Sequence, residues 1–348
     1  MVTMLSLDRA MFAPWPILPT ELIWQIIDFL KPSDSALIPS HNAVTRTLLS
    51  LSLASRLTHY KAHELLMTYC IHLSSLRALI NFNTTTKGCL PDCEAQRRTE
   101  AQSMVVAPFT HRNLVTPSAA REMDVTFSTL AGSLRRLVLD FPFRGFYPDN
   151  YGYQTGMILG RTFRRLSAIE EFVSIADGLP VDFPSEESNY QYVAWSTWPR
   201  LRRLSLRHLR IDKKFVEALL RCPQLTHLVV AEPTGLEDSL PGDLASRVAW
   251  AELGLCRITI VSHAQQEYWT RNGAYGNHAR EFELSLLGRL MRTFKEGVPD
   301  STAQHEMGYV GIRCVMTDPT DRIDAWIRQH ALDGTIWDSH GQPYEPVV

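Results

Sequence analysis

The chain has 348 residues, of which 45% are hydrophobic and 21% charged, and its 35 basic and 37 acidic side chains leave a net charge of −2 at pH 7. This composition is typical of a folded globular protein with a large core or two to three modules. It excludes global disorder, collagen-like repetition and a general polyanion binder, and six cysteines are too few for a disulfide scaffold in a chain of this length.

The amino terminus gives no sign of a targeting signal, because its short apolar stretch is interrupted by Asp8 and Arg9. No apolar run in the sequence approaches the roughly 20 residues that a membrane-spanning helix needs. We therefore expect a cytoplasmic or nuclear protein that has no membrane partner.

The first predicted element is a helix from Leu18 to Leu30, which Pro19 allows at its start and Pro32 ends. Its apolar side chains cover an arc of roughly 220° on a helical wheel, against the ~100° that a one-sided surface helix needs. Such a helix must bury two faces. The wheel alone favours burial of both faces in the protein's own core, and the alternative gives one face to a partner subunit.

A second and a third helix are predicted after a polar insertion at residues 32–45, the second around Leu48 to Leu57 and the third around His59 to Leu66. The three helices form a small module at residues 16–66, preceded by a tail at residues 1–15. This module resembles an F-box. The residues that carry the resemblance are Leu18, Pro19, Glu21, Leu22, Ile26 and Leu30 in the first helix, and Leu51, Leu53, Ala54, Ser55, Arg56 and Leu57 in the second segment.

The middle of the chain contains a weak repeat with L-x-x-L-x-L spacing. Its copies begin at Leu134 and Leu201, with a looser copy at Leu225 and a degenerate one at Ile169. The offset of 24 positions between residues 201 and 225 lies inside the leucine-rich repeat period of about 20–29. An amphipathic helix at residues 215–223 supplies the outer half of one strand–helix unit, and residues 68–80 are predicted to form an irregular first unit. The region resembles a leucine-rich repeat solenoid, and the combination resembles fungal-type F-box proteins.

The predicted fold is therefore α/β: a three-helix F-box-like module, an irregular leucine-rich-repeat-like solenoid at residues 67–262, and a C-terminal α/β cap at residues 263–348. Residues 84–125, 147–156 and 180–192 are predicted to be loop insertions, because they are rich in polar and turn-forming residues. A strand is predicted at residues 256–262, at the end of the solenoid. The cap is predicted to contain a strand at residues 309–316 and helices at residues 281–295 and 321–331, and to close the open end of the solenoid.

The sequence contains no recognisable catalytic or phosphate-binding motif. Cys89 and Cys93 have the best metal-ligand spacing, but Cys70 and His72, the nearest further ligands, complete an unusual set. We expect no metal, no cofactor and no enzymatic activity, although a catalytic group assembled in space remains an alternative.

A basic run lies between Trp195 and Lys214. In a leucine-rich strand the residues between the leucines line the opposite face, which places Arg203 and Arg207 there, with Arg136 in a parallel position. These three arginines could bind carboxylates or phosphates of a target, or they could form a solvated face balanced by nearby acids. Nucleic acid is not the expected partner, because the chain is slightly acidic and no stacking aromatics interleave with the run.

The F-box resemblance implies a non-catalytic substrate receptor of an SCF-type cullin–RING ubiquitin ligase, which docks on a Skp-type adaptor and holds an unknown target protein for ubiquitin transfer. It assigns a role in adaptor binding or in the module's core to seven residues, namely Leu18, Pro19, Leu22, Ile26, Leu30, Leu51 and Leu53. The alternative is a binding scaffold whose first helices pack only on its own repeats. The two differ in whether residues 18–30 leave free apolar surface.

Overall fold

The computed structural model describes residues 18–32, 36–87, 101–107, 117–141, 150–177, 194–235, 254–263, 311–317, 322–338 and 342–343. Within these ranges the chain is an α/β protein in which a largely parallel sheet carries helices on both faces. None of the described helices is long and apolar enough to cross a membrane.

The described helices are α1 (Thr20–Asp28), α2 (Ala43–Ala54), α3 (Arg56–Tyr69), α4 (Leu76–Lys87), α5 (Pro117–Leu130), α6 (Asn150–Arg164), α7 (Lys213–Leu219) and α8 (Ile323–Asp333). The strands are β1 (Ile71–Leu73), β2 (Ser103–Val106), β3 (Arg136–Leu139), β4 (Glu171–Ser174), β5 (Arg203–Arg207), β6 (His227–Ala231), β7 (Arg257–His263), β8 (Gly311–Thr317) and β9 (Gln342–Pro343).

The strands lie side by side in chain order, each from β2 to β8 pairing in parallel with the one before it, and β9 pairs antiparallel with β8. The register aligns equivalent residues in rows across the sheet. One such row is apolar throughout: Met104, Leu137, Phe172, Leu204, Leu228 and Ile258. Parallel strands need a crossover connection, and α4, α5, α6 and α7 provide it after β1, β2, β3 and β5.

The first face of the sheet packs against α4, α5, α6 and α7 to form the main core. Phe172 of β4 contacts the ring of Trp198 edge to face, with centroids 5.0 Å apart. The Trp198 indole N–H donates to the carbonyl oxygen of Phe163 in α6 over 2.7 Å, so the buried polar atom of this side chain is satisfied. Large apolar side chains from strand and helix therefore account for most of the fold's burial.

The second face of the sheet packs against α8 and the 3-10 turn Thr335–Trp337. A row of mostly valine side chains lies beneath them, including Val105, Val138 and Val173. Arg328 of α8 forms an ion pair with Asp140, the residue after β3, with 2.5 Å between nitrogen and oxygen. The carboxyl-terminal segment thus returns over the sheet.

The three N-terminal helices enclose a separate apolar cluster centred on Ile27, Leu48 and Leu65. The sharp turn between α2 and α3 is fixed by side-chain hydrogen bonds. The Ser55 hydroxyl caps α3 by accepting from the Thr58 N–H over 3.2 Å, and the Thr58 hydroxyl donates to the Leu51 carbonyl over 2.6 Å.

Several predicted elements are confirmed. Strands occur at the predicted copies as β3, β4, β5 and β6, the helix predicted at residues 215–223 is α7, and the predicted first unit contains β1 and α4. In the C-terminal region the strands predicted at residues 256–262 and 309–316 are β7 and β8, and the last helix is α8. The helix predicted at residues 281–295 and the loop predicted at residues 180–192 lie outside the described residues.

Two of the predicted loops are wrong in part. The 84–125 segment contains the whole of β2 and the start of α5, and α6 begins at Asn150 inside the predicted 147–156 loop. β2 is buried on both faces, so it shows no alternation of polar and apolar residues. The buried face of α5 includes Ala119, Ala120 and Thr126, which are small or polar and conceal its periodicity.

The spacing of the strands and the place of the last helix differ from expectation. From β1 to β5 the strands begin 32 to 35 residues apart, which is longer than the leucine-rich repeat period of about 20–29. The step from β5 to β6 is 24 residues and falls within that period. β8 extends the sheet beyond β7, as a cap would, but α8 packs on the second face because its apolar side meets the valines there.

We expect the protein to lose stability as the pH falls from about 7 to 5. Burial lowers the pKa of His72, His227 and His330 below the ordinary value, and neighbouring charges add to this at His72 and His227. These histidines take up protons near pH 6.5 in the unfolded chain but only at lower pH in the folded chain, so acidification favours unfolding. Denaturation midpoints at pH 7.5 and 5.5 measure this, and His72→Gln is expected to reduce the difference. Equal midpoints would contradict it.

Candidate functional site

Helix α1 carries two apolar stripes that face in different directions. Ile23, Ile27 and Leu30 turn inward and pack in the N-terminal cluster, where Ile27 is only 1% exposed. The second stripe consists of Leu22, Ile26 and Phe29, which are all exposed, and Phe29 is 88% exposed. One face of this helix therefore belongs to the protein's own core, and the other is open in the isolated chain.

Helix α2 continues the exposed apolar character. Leu48 lies in the N-terminal cluster, while Leu49 and Leu53, which are four residues apart and so share a helix face, point away from it. Leu53 is 86% exposed. Together with α1 these side chains make the N-terminal apolar set, defined as Leu18, Leu22, Trp24, Ile26, Phe29, Leu49 and Leu53.

Polar contacts to α3 fix the orientation of α1. The Lys61 ammonium lies 3.0 Å from the Asp28 carboxylate and 3.2 Å from that of Glu64, and its hydrogen bond to Asp28 raises the pKa of the lysine. The Trp24 indole N–H donates to the Leu57 carbonyl over 3.4 Å. These contacts hold the inner stripe of α1 against the cluster and leave the outer stripe free.

The structure divides the seven residues assigned by the F-box resemblance into two groups. Leu30 and Leu51 are partly buried and pack in the N-terminal cluster, whereas the others are exposed: Leu18, Pro19, Leu22, Ile26 and Leu53. The sequence reasoning missed Trp24, Phe29 and Leu49. The helical wheel contained the signal for Phe29, which extends the stripe of Leu22 and Ile26 by three residues.

The three arginines considered for target binding lie on the second face of the sheet and are already paired. Glu171 accepts from Arg136 over 2.8 Å and from Arg203 over 3.1 Å. Glu232 accepts from Arg207 over 2.7 Å. The register places Arg136 and Arg203 in one row with Glu171 between them, and Arg207 lies at the other end of β5.

The described residues offer no group of three or more His, Cys, Asp or Glu side chains that could hold a metal ion. Cys70 is buried, and burial raises the pKa of its thiol. Cys89 and Cys93 lie outside the described residues, so the spacing noted in the sequence is not tested. Protein contact through the N-terminal apolar set is thus the property best supported by geometry.

Comparison with known proteins does not identify the chain. No model of a known protein family matches it, and no curated protein matches it.

Proposed function

We propose that the protein is the substrate-recognition subunit of an SCF-type ubiquitin ligase in the cytoplasm or nucleus. In this proposal α1, α2 and α3 form an F-box that docks on a Skp-type adaptor, and the leucine-rich-repeat-like region binds a target protein. The observation that carries the proposal is the exposure of the N-terminal apolar set on helices that otherwise have a well-packed core.

The energetics of exposure favour a partner at this surface. Burial of a large apolar side chain contributes about 1.5–3 kcal/mol, and Phe29 and Leu53 gain almost none of this within the chain. Single exposed apolar residues are common on soluble proteins, but several on two helices that both pack on α3 are typical of an interaction site. Aromatic residues such as Trp24 and Phe29 are the kind that anchor protein interfaces.

The proposed mechanism is proximity without chemistry. A receptor that holds the adaptor with one end and a target with the other raises the effective concentration of target lysines near the conjugating enzyme. The residues proposed to contact the target protein are the arginines on the second face, Arg136, Arg203 and Arg207. No cofactor is required by this role.

Co-purification with a Skp-type adaptor tests the proposal. We compare wild type with the double variant Phe29→Asp/Leu53→Asp, which changes the two most exposed members of the set and no residue of the core. The matched control is Ile80→Asp, an exposed apolar residue on α4 outside the set. We expect a stable complex for wild type and for the control, and loss of the complex for the double variant.

A folded wild-type chain that stays free in the presence of adaptor would refute the receptor proposal. The alternative would then hold, a non-catalytic repeat scaffold whose N-terminal helices do not engage the adaptor. Circular dichroism of each variant separates loss of binding from loss of folding.

A further inference from the structure

The middle of the second sheet face is closed to ligands. Val105, Val138, Val173, Ser205 and Val229 are aligned in register across β2 to β6, and all five are buried. The four valines belong to the apolar cluster of this face. A ligand that approaches this face meets α8, and the strand residues that it can reach lie at the ends of the strands.

The amino-terminal ends of β3 and β4 are balanced in charge. Arg135 lies 3.9 Å from Glu170, and Arg136 lies 2.8 Å from Glu171. Two arginines at the start of β3 therefore face two glutamates at the start of β4, so the described residues at this part of the edge carry no surplus charge.

Among the residues that the structure describes, those at the amino-terminal ends of β5, β6 and β7 carry a surplus of positive charge. We define the basic rim as Arg200, Arg202, Arg203, His227 and Arg257. Arg200 and Arg202 are exposed and form no ion pair with the described residues. Arg203 shares Glu171 with Arg136, and Arg257 donates to the Trp337 carbonyl over 2.6 Å, with the exposed Asp338 3.9 Å away.

The register fixes the spacing within the basic rim. Arg203, His227 and Arg257 are aligned on consecutive strands. Neighbouring strands lie about 4.8 Å apart, so the backbones of the two arginines are roughly 10 Å from each other. Burial lowers the pKa of His227. The charges of Arg203 and Arg257 lower it further, and those of Asp338 and Glu171 oppose them.

We propose that the basic rim binds an acidic segment of a protein, with two carboxylates roughly 10 Å apart. Residues i and i+3 of a polyproline II segment present side chains on one side about 9 Å apart, and guanidinium groups bind carboxylates through two hydrogen bonds. That the protein carrying this acidic segment is a ubiquitination target rests on the proposed function, whereas the binding of the acidic segment does not.

Fluorescence anisotropy with the full chain tests the inference. The probe is a fluorescein-labelled peptide of three Glu-Pro-Pro repeats, and the reference probe has Gln in place of each Glu. The variant is Arg202→Gln/Arg203→Gln. The control is Arg135→Gln, which changes the position before β3 that corresponds to Arg202 and whose charge Glu170 balances. We expect the Glu probe alone to bind, at least a tenfold loss in the double variant, and less than a twofold change in the control.

Several results would overturn the inference. These are equal binding of the Gln probe, an equal loss in the Arg135→Gln control, or tighter binding of a single-stranded DNA oligonucleotide, which would assign the rim to nucleic acid. Thermal melts show whether the double variant is folded, and if it is not, Arg202→Gln alone replaces it.

The adaptor experiment uses none of these residues, so the two failures are distinguishable. If the chain binds the adaptor but does not bind the Glu probe, the proposed function stands and the inference about the basic rim is refuted. If the chain binds the Glu probe but does not bind the adaptor, the inference about the basic rim stands and the receptor proposal is refuted.

Discussion

Ile27→Ala is expected to lower the free energy of unfolding of the N-terminal helices by about 2–5 kcal/mol, whereas Ile26→Ala changes it by no more than about 0.5 kcal/mol. The two substitutions remove the same atoms from neighbouring positions on α1. Ile27 is 1% exposed in the N-terminal cluster, so its truncation leaves a cavity, and Ile26 is 56% exposed and leaves none. Hydrogen exchange of the α1 to α3 amides, together with urea denaturation, measures the difference.

Ile26→Ala, which leaves stability unchanged, is expected to affect adaptor binding. Ile26→Ala removes apolar surface that the proposed adaptor interface covers, so we expect weaker adaptor binding by a chain of unchanged stability. If Ile26→Ala destabilised the helices as much as Ile27→Ala, the outer stripe of α1 would be part of a core, and the surface on which the receptor proposal rests would not exist.

Ile327→Ala is expected to destabilise the sheet domain by about 2–5 kcal/mol through the loss of packing on the second face. Ile327 is fully buried in the middle of α8, among the valines of the strands. The matched control is Gln329→Ala on the same helix. This side chain is exposed and bonds only to Asp333 one turn later, so its loss is expected to cost less than about 0.5 kcal/mol.

Urea denaturation followed by tryptophan fluorescence reports this effect, because Trp337 lies in the same cluster and is buried. An Ile327→Ala midpoint equal to that of Gln329→Ala would mean that α8 does not close the second face. The inferred restriction of ligands to the ends of the strands would then lose its basis, because the valine row would be accessible.

The elements with leucine at regular intervals were predictable from the sequence. β3, β5 and β6 each place alternate large apolar residues toward the helices, and α7 shows helical periodicity before a proline. β2 was missed because a strand buried on both faces shows no alternation, and α5 because small and polar residues occupy half of its buried face. Their places are set by the sheet and by the helices they pack against.

The sequence predicted the helix α1 of the candidate site, but it did not predict which face of this helix is exposed. A wheel with an apolar arc of roughly 220° shows that α1 must bury two faces, and it cannot say which face the chain itself covers. The packing of α3 decides this, because Ala62 and Leu65 join Ile27 in the cluster and Lys61 holds Asp28. Leu30 and Leu51 therefore turn inward, while Phe29, which was not among the predicted residues, is the most exposed member of the set.

Three N-terminal helices and the strand–helix units behind them could be read from the sequence, because hydrophobic periodicity is a local property of the chain. Long-range packing sets which apolar side chains are covered: the stripe of Leu22, Ile26 and Phe29 stays open, and the valines of the second face are buried. Both outcomes depend on contacts between segments far apart in the chain. The ion pair of Lys61 with Asp28 orients α1, and the hydrogen bond from the Leu37 N–H to the Leu332 carbonyl joins the segment before α2 to α8. A local pattern records that a residue is apolar, and the fold decides what covers it.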